Sequence, residues 1–346
     1  MGRRILWASL ALAPATIAVD RLASPDKVVL FVLSATSLIP LAWLIGESTE
    51  HAAEHTGPGI GGFLNASFGN APELIIALIA VDGNLPQVVR GSLAGSVVSN
   101  LLLVYGVTQI AGPDNEPIDR RSLLAQVALI GAAVLAFIAP VVLGYRGSPD
   151  RHTVVIASIP IAGVLLLLYL AVVGRNLRRH RASERAEPEL GAWPLAASLG
   201  VLTVATTATA FVSEVLVHSL DAFAHAVGLS QFFIAIVIVA IVGNAAEHGG
   251  AVVIAHAGKM RLATEIAISS SAQVALLVVP VVMLLSLLFA HPLALAFRWI
   301  ELATMAGSVL LVGAMVADGR SRRWEGRLLV VAYAAVVVAF FLAGNR

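Results

Sequence analysis

The sequence contains no cysteine and has few charged and aromatic residues. Of its 346 residues, 12% are charged, 6% are aromatic and 58% are apolar, and the mean hydropathy is +0.90. The absence of cysteine excludes disulfides and thiolate metal ligands. A soluble domain carries about 25% charged residues, so this chain cannot cover itself with a polar surface. The composition therefore predicts a polytopic membrane protein that has the lipid bilayer as its partner. The net charge of +1 gives no indication of a nucleic-acid partner.

Eleven apolar runs are long enough to cross a bilayer, which takes about 20 residues in a helix. The first follows Arg3 and Arg4 and resembles a signal peptide, with Ala13–Ala15 as a candidate cleavage region. If it is not cleaved, it forms the first membrane helix. The predicted spans are Ile5–Val19, Lys27–Gly46, Ile60–Val81, Pro86–Ala111, Ser122–Leu143, Thr153–Gly174, Trp193–His218, Ser230–Ala255, Ala263–Phe289, Leu293–Val316 and Leu328–Leu342.

One break between the runs differs from the others and divides the chain. Arg175–Leu190 holds five arginines and three glutamates and is expected to be an exposed linker. The predicted organisation is a first helix with its loop (1–26), a five-helix repeat (27–174), the basic linker (175–192) and a second five-helix repeat (193–346). Because five is odd, the repeats would lie in the membrane with opposite orientations, as in many transporters. The expected fold is thus an all-α integral membrane protein.

The lysines and arginines predict the orientation. With eleven spans and a cytoplasmic N-terminus, 15 of the 22 basic residues fall on the cytoplasmic side. Short cytoplasmic loops are enriched in Lys and Arg. This bias predicts a cytoplasmic N-terminus and linker, and a C-terminus on the other side.

Two matching five-residue words lie inside apolar runs, Gly69–Glu73 (GNAPE) and Gly243–Glu247 (GNAAE). Each places a carboxamide and a carboxylate three residues apart, on one face of a helix. A charged side chain at the bilayer centre costs at least about 2.5–3.5 kcal/mol. The repetition of this costly feature indicates that Glu73 and Glu247 act together at a cation site near the midplane.

A hard divalent cation needs six to eight oxygen ligands. Glu73 and Glu247 supply the carboxylates, and Pro72, which has no N–H, would free the Phe68 carbonyl. Either one divalent cation or two protons neutralises two adjacent carboxylates, which favours obligatory exchange. Neutral oxygens are expected from Asn70, Asn244, Asn100, Gln273, Ser96 and Ser270.

Two further acidic–histidine pairs have the same four-residue spacing. These pairs, Glu47 with His51 and Glu214 with His218, are candidates for a proton or ion pathway near the membrane faces. His51, Glu54 and His55 also match the H-x-x-E-H pattern of zinc peptidases, although no third zinc ligand is evident. An intramembrane peptidase is therefore the alternative from another functional class.

The words GNAPELIIAL from Gly69 and GNAAEH from Gly243 resemble the repeat motifs of the calcium/proton exchangers, a branch of the calcium/cation antiporter superfamily. GSVVSNLLLV, SSSAQVALLVVP and DGRSRRWEG resemble other stretches of that family. The resemblance implies eleven helices and Ca²⁺ bound between the third and eighth. It also implies that Glu73 and Glu247 exchange Ca²⁺ for protons.

The expected function is a calcium/proton antiporter, not an enzyme, in a prokaryotic inner membrane, where it exports Ca²⁺ without a cofactor. Another cation, Mn²⁺ or Na⁺, is the alternative substrate. Many family members have an acidic segment between their halves. Because Arg175–Leu190 is net basic, it is not expected to bind regulatory calcium.

Overall fold

The computed structural model describes residues 2–23, 25–145, 147–180 and 193–344, and this part of the chain is almost entirely helical. Three π-helical segments, Asn100–Val104, Ile234–Val239 and Val274–Val278, interrupt the α-helices, and Glu116–Pro117 (β1) pairs with Arg320–Ser321 (β2). The α-helices are α1 Gly2–Ser9, α2 Leu12–Leu22, α3 Lys27–Phe68, α4 Ala71–Asp82, α5 Pro86–Ser99, α6 Tyr105–Ala111, α7 Arg120–Gly144, α8 His152–His180, α9 Leu195–Val227, α10 Gln231–Phe233, α11 Ala240–Gly243, α12 Ala245–His256, α13 Met260–Gln273, α14 Val279–Ser286, α15 Trp299–Val316 and α16 Arg323–Gly344.

The number of membrane spans agrees roughly with the predicted eleven. Within the described residues, nine helices are long and apolar enough to cross a membrane. Gln231–Gly243 and Ala245–His256 form a tenth span, bent by 56°. The predicted span Ile60–Val81 is likewise broken, because its first part belongs to α3 and its second part is α4.

Helix α3 is too long to be a single straight crossing. Phe68, its last residue, packs against a cluster that contains Leu44, Ile45, Leu202 and Ala205. A straight helix rises 1.5 Å per residue, which would place Phe68 about 36 Å from Leu44. Helix α3 must therefore bend, and its two ends contribute to two consecutive crossings.

The two chain termini lie on opposite faces of the helix bundle. On one face, Trp7 near the N-terminus packs against Trp193 at the start of α9, with ring centroids 6.1 Å apart. We call this side the linker face, because α9, the first helix after the predicted linker, begins there. Gly344 adjoins Ser230, just beyond the far end of α9. Termini on opposite faces are consistent with an odd number of crossings.

The two halves repeat each other at an offset of 174 residues. Helices α4 and α12 have 12 residues each, and α5 and α13 have 14. Two π-helical segments are separated by the same number of residues, Asn100–Val104 and Val274–Val278. Asn84 (φ 53°) and Gly258 (φ 81°), in the turns between these helices, both have left-handed backbones. The structure thus supports the inverted repeats at the level of single residues.

Helices α3 and α9 form a long antiparallel pair. Phe31 of α3 stacks on Phe223 of α9 with ring centroids 4.2 Å apart. Farther along the two helices, Leu44 of α3 and Leu202 of α9 belong to one hydrophobic cluster. Helix α2 is joined to α3 by a buried hydrogen bond of 2.8 Å between the Thr16 and Ser37 hydroxyls.

Two predicted boundaries need correction. Helix α8 continues to His180, so the first six residues of the predicted linker are helical, and the rest, 181–192, lies outside the described residues. The span predicted to begin at Leu293 begins at Trp299. The preceding segment is apolar but not helical, because side chains accept its N–H groups: Leu293 donates to Ser286 Oγ at 2.8 Å and Ala294 to Asp150 Oδ1 at 2.8 Å.

Candidate ion-binding site

The two five-residue words form equivalent breaks in helices. Asn70 (φ −93°, ψ 13°) precedes α4 and Asn244 (φ −96°, ψ 7°) precedes α12. Pro72 lies in the first turn of α4, where a missing N–H costs nothing. Because α3 already ends at Phe68, the helix is interrupted before Pro72, and the proline does not kink a continuous helix. Broken helices of this kind present free backbone groups to ion sites in transporters.

The structure brings the two glutamates together across the repeats. Glu73 is 6% exposed, and its Oε2 has no hydrogen-bond partner among the residues that are described. Its side chain lies against Gly243 of the second word, where an added Cβ would be 3.3 Å from Glu73 Cγ. Glu247 is half-buried and close enough to repel Glu73 electrostatically. Two carboxylates that repel each other in a buried site favour binding of protons or a cation, because either neutralises the negative charge.

The six predicted amide and hydroxyl residues join the repeats through hydrogen bonds. Asn70 Nδ2 donates to Gln273 Oε1 at 2.7 Å, and Asn244 Nδ2 donates to Ser96 Oγ at 2.8 Å. Asn100 Nδ2 donates to Ser270 Oγ at 3.0 Å. These three hydrogen bonds bring the predicted amide and hydroxyl residues of one repeat into contact with those of the other.

Glu247 and Asn100 have additional partners within this network. The Ser270 hydroxyl donates a hydrogen bond to Glu247 Oε2. His248 Nε2 lies 2.8 Å from Asn100 Oδ1, so His248 contacts the amide rather than a carboxylate.

A close backbone contact positions Ser96, and the sequence analysis did not identify it. A Cβ on Gly95 would lie 2.0 Å from the carbonyl oxygen of Ile236 in a π-helical segment. Only glycine allows α5 to approach this segment so closely, which brings Ser96 to Asn244. The spacing of Gly91 and Gly95 is the G-x-x-x-G pattern of close membrane-helix packing, and this signal was available in the sequence.

The two predicted pathway pairs occupy different depths. His51 lies 3.7 Å from Glu47 and stacks on Trp193, near the linker face. Glu214 lies in the middle part of α9, between the region that packs near Leu44 and the region that contacts Phe31. His218 is exposed. At the repeat offset, the counterparts of Glu47 and His51 are instead Asp221 and His225, 3.5 Å apart. A role for the predicted pairs in ion movement stays a prediction.

The peptidase alternative receives no geometric support. Across the described ranges, there is no group of three or more His, Asp or Glu residues that could hold a metal ion. His55 Nε2 lies 2.7 Å from the Trp193 carbonyl oxygen, and His51 stacks on the same residue. Both histidines are thus part of the contact between α3 and the start of α9.

Comparisons with known proteins agree with this geometry. The chain is 39% identical over 328 residues to a Ca²⁺/H⁺ antiporter, ChaA, of Bacillus subtilis, covering 91% of this chain and 92% of the relative. It is 33% identical to a Ca²⁺/H⁺ antiporter of Aphanothece halophytica, covering 91% of each. The solved structure of native YfkE superposes with a TM-score of 0.83 at 34% identity, covering 97% of this chain and 99% of that one.

A more distant solved structure extends the agreement in fold. The H⁺/Ca²⁺ exchanger CAX, at 16% identity, matches with a TM-score of 0.76 over 99% of this chain and 93% of the other. Residues 27–177 and 197–342 match the family described as sodium/calcium exchanger protein. The two matched segments coincide with the two repeats and leave out the chain between them. The chain belongs to the sodium/calcium exchanger protein family.

Proposed function

We propose that the protein is a secondary transporter that exchanges Ca²⁺ for protons. The observation that carries this function is the meeting of Glu73 and Glu247, one from each inverted repeat, at paired helix breaks. Two relatives that match nine-tenths of the chain are Ca²⁺/H⁺ antiporters. The transported species, Ca²⁺ and H⁺, are substrates, and the chemistry requires no cofactor.

The ligand set suits a hard cation. Ca²⁺ takes six to eight oxygens, and the two carboxylates together with nearby amides and hydroxyls supply enough of them. Some carboxamides donate through Nδ2 in the present arrangement, so they must turn to offer their oxygens to a cation. The ligands proposed besides Glu73 and Glu247 are Asn70, Asn244, Ser96, Asn100, Ser270 and Gln273.

Electrostatics makes the exchange obligatory. An empty site with two ionised carboxylates is strongly disfavoured in a low-dielectric environment. One Ca²⁺ or two protons remove the net charge, and either loaded form can then cross between the two states of the transporter. The empty, doubly charged site cannot do so readily, which prevents uncoupled leakage of Ca²⁺.

The proposed setting is a prokaryotic inner membrane, with the linker face in the cytoplasm and Ca²⁺ leaving the cell. The basic residues concentrated on the linker face support this orientation. A tag inserted at Ser183 should be protected from impermeant reagents in intact cells, whereas a tag after Arg346 should be reachable. A reachable tag at Ser183 in sealed cells would contradict the orientation.

The two glutamates provide the test of function. Glu73→Gln and Glu247→Gln keep the side-chain shape and each remove one negative charge, so a divalent ion is no longer neutralised. Each variant should lose at least about tenfold of the Ca²⁺-driven proton flux in reconstituted vesicles, since a change of 1.4 kcal/mol already gives that factor. By pseudo-symmetry the two losses should be similar.

Glu116→Gln in β1 is the matched control, because it removes a glutamate charge on the linker face away from the site. Its flux should equal that of the unmodified protein. Full flux in either site variant, at equal protein level, would show that the site is not built from this pair. A competition series with Mn²⁺ and Na⁺ in the same vesicles identifies the preferred cation.

A further inference from the structure

A second group of buried polar atoms lies away from the ion-binding site, where the end of α6 meets the start of α16. Tyr105, Thr108, Gln109 and Ser321 are fully buried, and Glu325 is 3% exposed. Buried polar groups in native proteins are satisfied by protein or by ordered water. The atoms without a hydrogen-bond partner among the described residues are Tyr105 Oη, Thr108 Oγ1, Gln109 Oε1 and Nε2, Ser321 Oγ and Glu325 Oε2.

Two glycines bring these groups together. A Cβ on Gly106 would lie 2.9 Å from the Gly326 carbonyl oxygen, and a Cβ on Gly326 would lie 2.5 Å from the Gly106 carbonyl oxygen and 2.9 Å from Gln109 Cβ. The backbones of α6 and α16 are therefore in direct contact. The Tyr105 hydroxyl adjoins the Gln109 amide, and the charge of Glu325 acts on Tyr105.

The π-helical segment Asn100–Val104 connects this polar group to the ion-binding site. In a regular α-helix, Tyr105 would lie well away from the face that carries Asn100. The i→i+5 bond of the π-helix, donated by the Tyr105 N–H to the Asn100 carbonyl, brings the two residues closer to one face. Gln109 follows Tyr105 by four residues and shares its face. Asn100, Tyr105 and Gln109 thus form one polar row from the site toward the linker face.

Glu325 lies at the linker-face end of this row. Its Oε1 is 3.5 Å from Arg322 Nη1, and Arg322 also pairs with Asp318 at 2.8 Å. Asp114 also interacts electrostatically with Glu325. Its carboxylate accepts a hydrogen bond of 2.8 Å from the Arg323 backbone N–H. Arg322 and Asp318 are partly exposed, so Glu325 has a short route to solvent.

We propose that Tyr105, Gln109, Ser321 and Glu325 hold water molecules and conduct protons between the ion-binding site and the linker face. This inference rests on the proposed antiport. A proton leaves a carboxyl group of Glu73 or Glu247, passes along the water and hydroxyl chain, and binds the Glu325 carboxylate. Its release to solvent restores that carboxylate. Ca²⁺ does not use this route, because the row offers only one carboxylate.

Two transport assays on the full-length protein in reconstituted vesicles separate this route from the ion-binding site. Ca²⁺/H⁺ exchange is followed by a pH-sensitive dye, and Ca²⁺/Ca²⁺ exchange, which moves no proton, is followed by isotope. Glu325→Gln should reduce Ca²⁺/H⁺ exchange at least about tenfold and change Ca²⁺/Ca²⁺ exchange less than about twofold. Tyr105→Phe, which removes only the hydroxyl, should show a smaller loss with the same separation between assays.

Glu50→Gln is the control, because it removes an exposed glutamate of α3 near the linker face, outside the row, and it should leave both assays unchanged. Equal losses in both assays for Glu325→Gln and Tyr105→Phe would show a structural role and overturn the route. Full Ca²⁺/H⁺ exchange in Glu325→Gln would overturn it as well. If the unmodified protein showed neither exchange, antiport itself would be refuted, and the route with it.

Discussion

Helices α4 and α12 begin with the same backbone geometry but are packed differently. Seven of the twelve residues of α4 are buried, Glu73 among them, whereas only Ala251 and Ala255 are buried in α12. The C-terminal end of α12 lies on the linker face, where Ala255 packs with Met260 near the end of α6. The site is therefore enclosed on the α4 side and more loosely covered on the α12 side.

This difference shows how one site can be reached from two sides. Inverted repeats have the same fold in opposite orientations, so alternating access can arise when the two halves exchange their packing. In the present structure α4 is tightly packed and α12 is loosely packed. We infer that the linker-face side of the site is open to a greater extent, and that the reverse packing would open the opposite side.

The largest expected effect concerns a contact made in one repeat only. Gly95→Ala would place a Cβ 2.0 Å from the Ile236 carbonyl oxygen, which the two backbones cannot accommodate without separating. Its counterpart at the repeat offset, Ser269, already carries a side chain. Gly95→Ala should therefore abolish transport or prevent folding, as measured by proton flux and by the thermal stability of purified protein.

Two alanine substitutions serve as controls for this prediction. At Gly91, one turn earlier on α5, a Cβ would be at ordinary contact distances of 3.4 Å or more. Ser269→Ala removes a hydroxyl that donates only to the Ile266 carbonyl within α13. Both should retain most of the flux. Normal stability and transport in Gly95→Ala would show that the close approach of α5 is not needed.

Much of the fold and of the site could be predicted from the sequence. The apolar runs and the basic linker were sufficient to predict the repeats. The paired five-residue words were sufficient to select both glutamates, because a charged residue in a membrane helix is costly and seldom accidental. Position within a helix was harder to predict. At the repeat offset, Gln273 corresponds to Ser99 and Asn100 corresponds to Val274, so these two expected ligands have no polar amide counterpart in the other repeat.

The remaining differences depend on contacts between segments that are distant in the sequence. Glu214 was expected near a membrane face, yet the antiparallel packing of α3 on α9 places it at an inner level. The closeness of Gly95 to Ile236 depends on a π-helical segment in the other repeat. No local pattern specifies such contacts.

The second prediction tests the packing difference by thiol labelling, which the absence of native cysteine makes straightforward. Ala71 and Ala245 are equivalent residues at the two helix breaks, the first 7% exposed and the second half-buried. In everted vesicles, Ala245→Cys should react with a small impermeant thiol reagent at least about tenfold faster than Ala71→Cys. Equal rates would show that the site is not more open toward the linker face.

The smallest expected effect compares two equivalent serines, Ser96 and Ser270. The Ser270 hydroxyl donates to the Glu247 carboxylate, whereas the Ser96 hydroxyl accepts from the Asn244 amide. Hydrogen bonds to charged groups are worth about 1.5–3 kcal/mol and those between neutral groups about 0.5–1.5 kcal/mol. Ser270→Ala removes a hydrogen bond to a charged group, whereas Ser96→Ala removes one between neutral groups, so Ser270→Ala should weaken Ca²⁺ binding more.

We therefore expect Ser270→Ala to raise the Ca²⁺ concentration for half-maximal proton flux about tenfold, and Ser96→Ala to raise it about threefold. Both are measured at one fixed pH in the same vesicles. Ser269→Ala, next to Ser270 but bonded only within its own helix, is the control and should leave the value unchanged. Equal shifts for Ser96→Ala and Ser270→Ala would mean that the carboxylate gains nothing from its serine, and that the two repeats contribute alike to cation binding despite their different packing.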